Sequence, residues 1–178
     1  MRPLTEAEVL GNIFFYVMAG FDTTSTTLSF VFLLLALYPS AQTLLQQELD
    51  RVLSSRVTSA WDANKDVAVF LNGYLGAVIS ETLRLYHPVA WYARKTVRDT
   101  TVTTASGTTC RIPKDTIIMI DVAAIGRHPG YWSTSTLPGD DTGIERAPAR
   151  DFNPTRWLGP HDNAAAFPFS AGHRMCPS

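Results

Sequence analysis

The sequence predicts a mainly α-helical protein with a small β-sheet. Its first half carries apolar residues at helical spacing, a central stretch is rich in Thr, Val and Ile, and the C-terminal part is rich in Pro, Gly, Ser and Asp. Helical spacing gathers apolar residues on one face, β-branched residues favour strands, and Pro and Gly interrupt both. We therefore expect helices first, a small sheet second and a long irregular segment last.

The composition excludes several classes of protein. The chain has 178 residues, 46% hydrophobic and 17% charged, so it can fold around a core. Its 15 basic and 16 acidic residues give a formal net charge of −1, which leaves no basic excess for binding a nucleic acid. The two cysteines, Cys110 and Cys176, lack zinc-finger spacing. We expect reduced thiols rather than a disulfide framework.

The first long helix is expected over residues 5–38. Thr5 and Glu8 form a capping-box pattern, and Pro39 follows the last apolar residue. The longest unbroken apolar run, FVFLLLALY, has nine residues, fewer than the roughly 18 that a membrane-spanning helix needs. We therefore predict a buried helix and no membrane span in this chain.

The remaining elements follow from periodicity and from turn residues. Apolar residues at helical spacing predict a helix over 70–86, which ends at His87 and Pro88. A small sheet is expected over 91–121, with ASGT as a hairpin turn. From 127 to 178 the Pro-rich and Gly-rich sequence predicts an irregular meander that ends in a loop around Cys176.

The stretch AGFDTT lies inside the first helix. Helical spacing places Ala19, Thr23 and Thr26 on one small, hydroxyl-lined face, beside Gly20. Asp22 is costly in so apolar a helix unless it is paired, hydrated or used. Two interpretations stand: a flat ligand approaches this face closely, or the face packs against another element and Asp22 points to solvent.

The stretch ETLR places Glu81 and Arg84 one helical turn apart, where they can pair. The pair is either solvated or partly buried with a further partner. Arg156, in DFNPTRWL, is a candidate for that partner. It either lies in solvent or completes a buried triad with Glu81 and Arg84.

The stretch FSAGHRMC surrounds Cys176 with turn-forming and basic residues. Gly172 permits a tight turn or a close approach of the backbone, and Arg174 is a planar donor suited to a carboxylate. A thiolate and a guanidinium so close in sequence could meet one flat anionic ligand. The alternative is a buried, inert cysteine.

Together these stretches resemble the cytochrome P-450 superfamily of haem-thiolate monooxygenases. AGFDTT is similar to the oxygen-activation helix motif A/G-G-x-D/E-T-T, ETLR to the E-x-x-R helix, FNPTRW to the segment with the second arginine of the triad, and FSAGHRMC to the cysteine-loop signature F-x-x-G-x-R-x-C. The resemblance is closest to eukaryotic microsomal members. It implies the C-terminal portion of that fold, truncated at the cysteine-ligand loop, as one partial domain over residues 1–178.

The resemblance also implies roles for individual residues. Cys176 would be the axial ligand of the haem iron, and Asp22 and Thr23 would deliver protons to bound dioxygen. Glu81, Arg84 and Arg156 would form a structural triad. The residues expected to contact the haem are Cys176, Arg174, Arg94, Phe169, Gly172, Ala19 and Gly20.

The implied reaction inserts one oxygen atom from O2 into a small organic substrate, with electrons from NADPH through a partner reductase. The implied location is the endoplasmic reticulum membrane, if the complete protein carries the family's N-terminal anchor. The signature normally has glycine where this chain has Ser178, and the family's N-terminal half has no counterpart here. We therefore expect a fragment with weak or no turnover. The alternatives are a non-catalytic haem-binding or interaction fragment, and a helical domain in which Cys176 is a reactive thiol.

Overall fold

A computed structural model describes residues 2–54, 62–132, 149–159, 165–166 and 168–177. Much of the expected meander, together with Ser178, lies outside the described residues. The predicted class, mainly α with a little β-structure, is confirmed. The elements in chain order are α1 (Glu6–Leu37), α2 (Pro39–Leu53), α3 (Ala63–Leu71), α4 (Tyr74–Leu85), β1 (Trp91–Lys95), β2 (Thr100–Thr103), β3 (Thr109–Ile112), β4 (Ile117–Asp121), α5 (Val122–Gly126), α6 (Pro129–Trp132), and the 3-10 turns Pro154–Trp157 and Gly172–Arg174.

Helix α1 begins where its capping sequence predicts. The Thr5 amide donates to Glu8 Oε2 at 2.8 Å, and the Glu8 amide donates to Thr5 Oγ1 at 3.3 Å. This reciprocal pair satisfies two donors that the first turn leaves without a helical partner. The helix ends at Leu37, and Pro39 opens α2, where its missing N–H costs nothing.

The prediction that α1 is a buried helix is wrong for most of its length. Val31, Leu34 and Leu35 are its buried residues, and all of them lie near its C-terminal end. There α1 packs against α2 and α4, and Phe30 stacks on Tyr86 with ring centroids 4.7 Å apart. Phe14, near the other end, is 68% exposed, because none of the described elements covers that end.

Helix α1 is long enough and apolar enough to cross a membrane. The mean hydropathy of its most apolar 18-residue stretch is 1.4. The expectation of no span rested on the longest unbroken apolar run, whereas mean hydropathy tolerates the polar residues between such runs. Core helices of soluble proteins can be equally long and apolar, so these properties are no argument for a membrane.

The helix expected over 70–86 is interrupted near its start. Helix α3 ends at Leu71 and α4 begins at Tyr74. Glu48 of α2 accepts hydrogen bonds from the Tyr74 and Leu75 amides at 2.7 and 3.0 Å, so α4 is capped by a side chain from another helix. Gly73 lies against this carboxylate, and a Cβ there would collide with it.

The main core forms where α1, α2 and α4 meet. Helix α4 is its centre, with residues 81–85 all buried. The buried apolar residues of this core are Val31, Leu34, Leu35, Ala41, Leu45, Tyr74, Val78, Leu85 and Phe152. Phe152 belongs to the irregular C-terminal segment, so that segment is anchored to the helical core.

The expected small sheet consists of two antiparallel pairs. β1 pairs with β4, from Trp91 opposite Asp121 to Lys95 opposite Ile117. β2 and β3 form a hairpin between them, and Gly107, with φ of +83°, lies in its turn. Alternate residues of β1 are half-buried, which places Tyr92 and Arg94 on one face.

Candidate functional site

Glu81 is the centre of a buried ionic cluster. Its side chain is fully buried on α4, where Arg84 donates to it from Nε and Nη2, each at 2.7 Å. Arg156 donates from its Nε to Glu81 Oε1 at 2.9 Å. The structure therefore brings together the three residues that the sequence analysis proposed as a triad. A single carboxylate lies between two guanidinium groups in a nearly water-free environment.

Two further donors to Glu81 were not expected from the sequence. The Asn153 amide donates to Oε1 at 2.9 Å, and the indole Nε1 of Trp157 donates to Oε2 at 2.9 Å. No functional role is assigned from the sequence to Trp157, which follows Arg156 in the stretch DFNPTRWL. Trp157 is half-buried, and an indole N–H that is withdrawn from water needs an acceptor. The position of this tryptophan next to Arg156 was the signal available in the sequence.

Arg84 joins the helical core to the irregular segment. Its Nη1 donates to the carbonyls of Gly126 and Ala149 at 2.5 and 2.6 Å, and its Nη2 also reaches the carbonyl of Asp151 at 3.1 Å. Gly126 is the last residue of α5, where a helix leaves its carbonyls without partners, and Ala149 and Asp151 lie in the irregular segment. The guanidinium therefore replaces missing secondary structure by satisfying buried backbone acceptors.

Cys176 lies on an exposed loop with an unusual backbone. Residues 171–177 are all exposed, and the Cys176 amide donates to the Phe169 carbonyl at 2.9 Å. Ser170 and Gly172 adopt φ of 66° and 76°, in the left-handed region. Gly172 reaches this region without strain, whereas Ser170 does not. The exposed thiol contradicts the alternative of a buried, inert cysteine.

Residues of β1 and of the end of α4 hold the start of this loop. Arg94 donates from Nη2 to Ser170 Oγ at 2.7 Å, and Tyr92 donates from its hydroxyl to the Pro168 carbonyl at 2.6 Å. His87 Nε2 lies 2.5 Å from the same carbonyl. Sequence reasoning singled out Arg94 and missed Tyr92, although the period of a strand places both on one face.

Tyr92 is electrostatically coupled to the cysteine. Burial raises the pKa of Tyr92 above its ordinary value, and the charge of Cys176 raises this pKa further, while the Ser170 amide and Arg94 oppose the rise. The hydroxyl of Tyr92 is therefore a neutral donor near the thiol. A neutral donor can hold the loop without adding charge beside a thiolate.

The AGFDTT residues lie on the part of α1 that the described elements leave uncovered. Ala19, Gly20 and Asp22 are exposed and Thr23 is half-buried. Among the described residues, the hydrogen bonds of this stretch remain within the helix: Thr23 donates from Oγ1 to the Ala19 carbonyl at 2.8 Å. A Cβ placed on Gly20 would meet no atom within 4 Å.

The residues of the cysteine loop are compatible with a haem. Cys176 offers an exposed thiol, and a Cβ on Gly172 would meet nothing within 4 Å, so a flat group has space beside the turn. Phe169 is 51% exposed and Arg174 is exposed, which supplies an apolar surface and a cation. Within the described ranges, no three His, Cys, Asp or Glu side chains group as metal ligands.

Comparisons with known proteins agree with one another. The family model described as Cytochrome P450 matches residues 2–177. Cytochrome P450 cyp-13B1 of Caenorhabditis elegans is 35% identical over 98% of this chain and 30% of its own length. Cytochrome P450 monooxygenase 124 of Postia placenta is 32% identical over 97% of this chain and 31% of its own length. Cytochrome P450 3A6 of Oryctolagus cuniculus is 33% identical over 98% of this chain and 31% of its own length.

A solved structure shows the same fold. The crystal structure of the heme domain of a cytochrome P450DA mutant matches with a TM-score of 0.75 and 23% identity, over 98% of this chain and 34% of that one. The chain spans about 30% of the length of the curated relatives that it matches. From the family match over nearly its whole length, we conclude that the chain belongs to the cytochrome P450 family.

Proposed function

We propose that this chain supplies the thiolate side of a haem monooxygenase site, in which the Cys176 thiolate would bind the iron. The observation that carries the proposal is the exposed thiol of Cys176 on a turn that is fastened to β1. An exposed thiol accepts a ligand without rearrangement of a core. Membership of the family supports the same assignment.

The neighbouring residues have distinct roles in binding. Arg174 and Arg94 offer guanidinium groups to the carboxylates of a haem, which a planar donor binds with two hydrogen bonds. Gly172 lets the flat group approach the backbone, and Phe169 shields the sulfur from water. Arg94 is held in advance, because one of its Nη atoms donates to Ser170 and the other to the carbonyl of Ala93.

Asp22 and Thr23 of α1 are the proposed proton carriers. Thr23 donates its hydroxyl hydrogen to the Ala19 carbonyl, so its Oγ1 lone pairs can accept a hydrogen bond from a proton donor beside the helix. Asp22 is exposed and can exchange protons with water. Ala19 and Gly20 present little bulk, which leaves space beside this face for dioxygen.

The proposed reaction consumes a small organic substrate, O2, two electrons and two protons, and releases the hydroxylated product and water. A bound haem supplies the iron at which dioxygen is reduced. The electrons would come from NADPH through a partner reductase, and the complete protein would act at the endoplasmic reticulum membrane. A second candidate is haem binding without turnover. It is favoured because Asp22 and Gly20 are exposed on α1, with no described element that closes a pocket beside them.

Oxygen labelling separates the two candidates. The haem-loaded chain is supplied with NADPH, a microsomal reductase, a mixture of lipophilic substrates and 18O2. Because turnover by this chain is expected to be weak, we expect a small yield of product that carries one 18O atom from the unaltered chain and none from Cys176→Ala. If the unaltered chain binds haem but gives no labelled product, the second candidate holds and the monooxygenase proposal fails for this chain.

A further inference from the structure

Two side chains converge on one backbone carbonyl at the start of the cysteine loop. Tyr92 donates from its hydroxyl to Pro168 O at 2.6 Å, and His87 Nε2 lies 2.5 Å from the same oxygen. The Val89 amide donates to His87 Nδ1 at 3.0 Å. Because Nδ1 accepts, the hydrogen of a neutral imidazole lies on Nε2. His87 is therefore the second donor to the Pro168 carbonyl.

The two donors are themselves oriented by their surroundings. The His87 and Tyr92 rings meet edge to face with centroids 6.1 Å apart, and the Arg94 guanidinium lies 5.8 Å from the centre of the Tyr92 ring. His87 lies two residues after α4, whose last residue is Leu85, and Tyr92 lies on the half-buried face of β1. Tyr92 is thus part of a strand and His87 is held close to the end of a helix, whereas their acceptor belongs to an irregular segment.

The loop needs such an external restraint. Ser170 is held with φ of 66° although it is not glycine, and the residues after it are exposed. A left-handed L-residue persists only when its surroundings hold it there. The Pro168 carbonyl, two residues before Ser170, is the point at which His87, after α4, and Tyr92, on β1, are hydrogen-bonded to the loop.

We propose that His87 and Tyr92 form a clamp on the Pro168 carbonyl, and that this clamp positions the loop that carries Cys176. Both act as positioning residues, because they touch the backbone of the loop and not the thiol. The importance of the clamp for haem binding rests on the proposed function, but its effect on the loop does not. The clamp adds to Arg94, whose bond to Ser170 holds the next part of the same loop.

Hydrogen exchange of the full chain without haem tests the clamp directly. The measured segment is 168–177, in which the Cys176 amide is bonded to the Phe169 carbonyl. Tyr92→Phe keeps the ring and removes one donor, so we expect exchange about fivefold faster, as for the loss of one ordinary hydrogen bond. His87→Ala should have a similar effect, and the double variant a larger one. His87→Gln, which restores an N–H of similar reach, should recover part of the protection.

The controls separate positioning from general destabilisation. Tyr131→Phe removes a hydroxyl from an exposed tyrosine on α6 and should leave the segment unchanged. Exchange in the β2–β3 hairpin should also stay constant in every variant. Equal exchange in Tyr92→Phe and the unaltered chain would overturn the proposal. So would faster exchange spread equally over α4 and the hairpin.

A second readout follows the thiol itself. In the ferrous carbon monoxide complex, the clamp variants should give a smaller fraction of the red-shifted Soret band of thiolate ligation, while Tyr131→Phe keeps it. An unchanged fraction in the double variant would contradict the positioning role. If no form of the chain binds haem, the proposed function fails, and the exchange result still decides whether the clamp exists.

Discussion

Glu81 shows how one buried charge organises a site at the scale of single residues. Its carboxylate accepts five hydrogen bonds, two from Arg84 and one each from Arg156, Trp157 and the Asn153 amide. The Arg84 and Arg156 guanidinium groups have little access to water in this cluster, so they need the carboxylate as an acceptor. Removing one partner of a buried ion pair costs far more than an isolated surface pair contributes.

The first prediction concerns the charge of Glu81. Glu81→Gln keeps the shape but leaves two guanidiniums without their anion, and its new amide hydrogens face existing donors. We expect a loss of about 3–5 kcal/mol in the free energy of unfolding, measured by urea denaturation and circular dichroism. Asp99→Asn, which breaks an exposed pair with Arg111, is the matched control and should change little. Equal stability of Glu81→Gln and the unaltered chain would refute the structural role of the cluster.

Part of this cluster could be predicted from the sequence. Glu81 and Arg84 are one helical turn apart, so their pairing follows from helix geometry. Trp157 and His87 could not be assigned in the same way. Their partners are 76 and 81 residues away in the chain, and His87 binds a backbone carbonyl that carries no sequence signal.

At the scale of a secondary-structure element, helix α1 separates what is local to the chain from what depends on packing. Its start follows from the Thr5–Glu8 capping pattern, because capping is a local property of the chain. Its burial does not, because burial depends on which elements lie against it. The start of α4 was misplaced for a related reason: its cap, Glu48, comes from another helix.

A pH dependence is predicted for the first turn of α1. The Arg2 guanidinium, followed by the Thr5 amide and hydroxyl, lowers the pKa of Glu8 from 4.5 to about 2. A carboxyl whose folded pKa is depressed stabilises the fold above its unfolded pKa, and this contribution is lost as the pH falls through the folded value. We expect the first turn to fray between about pH 4.5 and 2.

Amide protection of Val9, which donates to the Thr5 carbonyl at 3.0 Å, reports this fraying by nuclear magnetic resonance. After correction for intrinsic exchange, the protection of this amide in the unaltered chain should decrease as the pH is lowered. Glu8→Gln should show low protection at every pH, because its side chain carries no charge for Arg2. Identical pH profiles for the two chains would rule out Glu8 as the titrating group.

At the scale of the whole molecule, the irregular C-terminal segment depends on the helices for its position. Arg84, on α4, donates to the backbone carbonyls of Gly126, Ala149 and Asp151. Phe152 of the irregular segment packs in the main core. The fold class could be predicted because the apolar periodicity, the β-branched stretch and the motifs follow one another along the chain in a definite order. The loop conformation was not, since the left-handed Ser170 and its clamp arise from contacts across the molecule.

The ferrous carbon monoxide spectrum tests the central claim, that Cys176 binds haem iron as a thiolate. Haem is added to the purified chain and to Cys176→Ala, and both are reduced with dithionite under carbon monoxide. We predict a strongly red-shifted Soret band in the unaltered chain and its absence in Cys176→Ala. A band at the ordinary position in the unaltered chain, or the same red-shifted band in both proteins, would contradict the account.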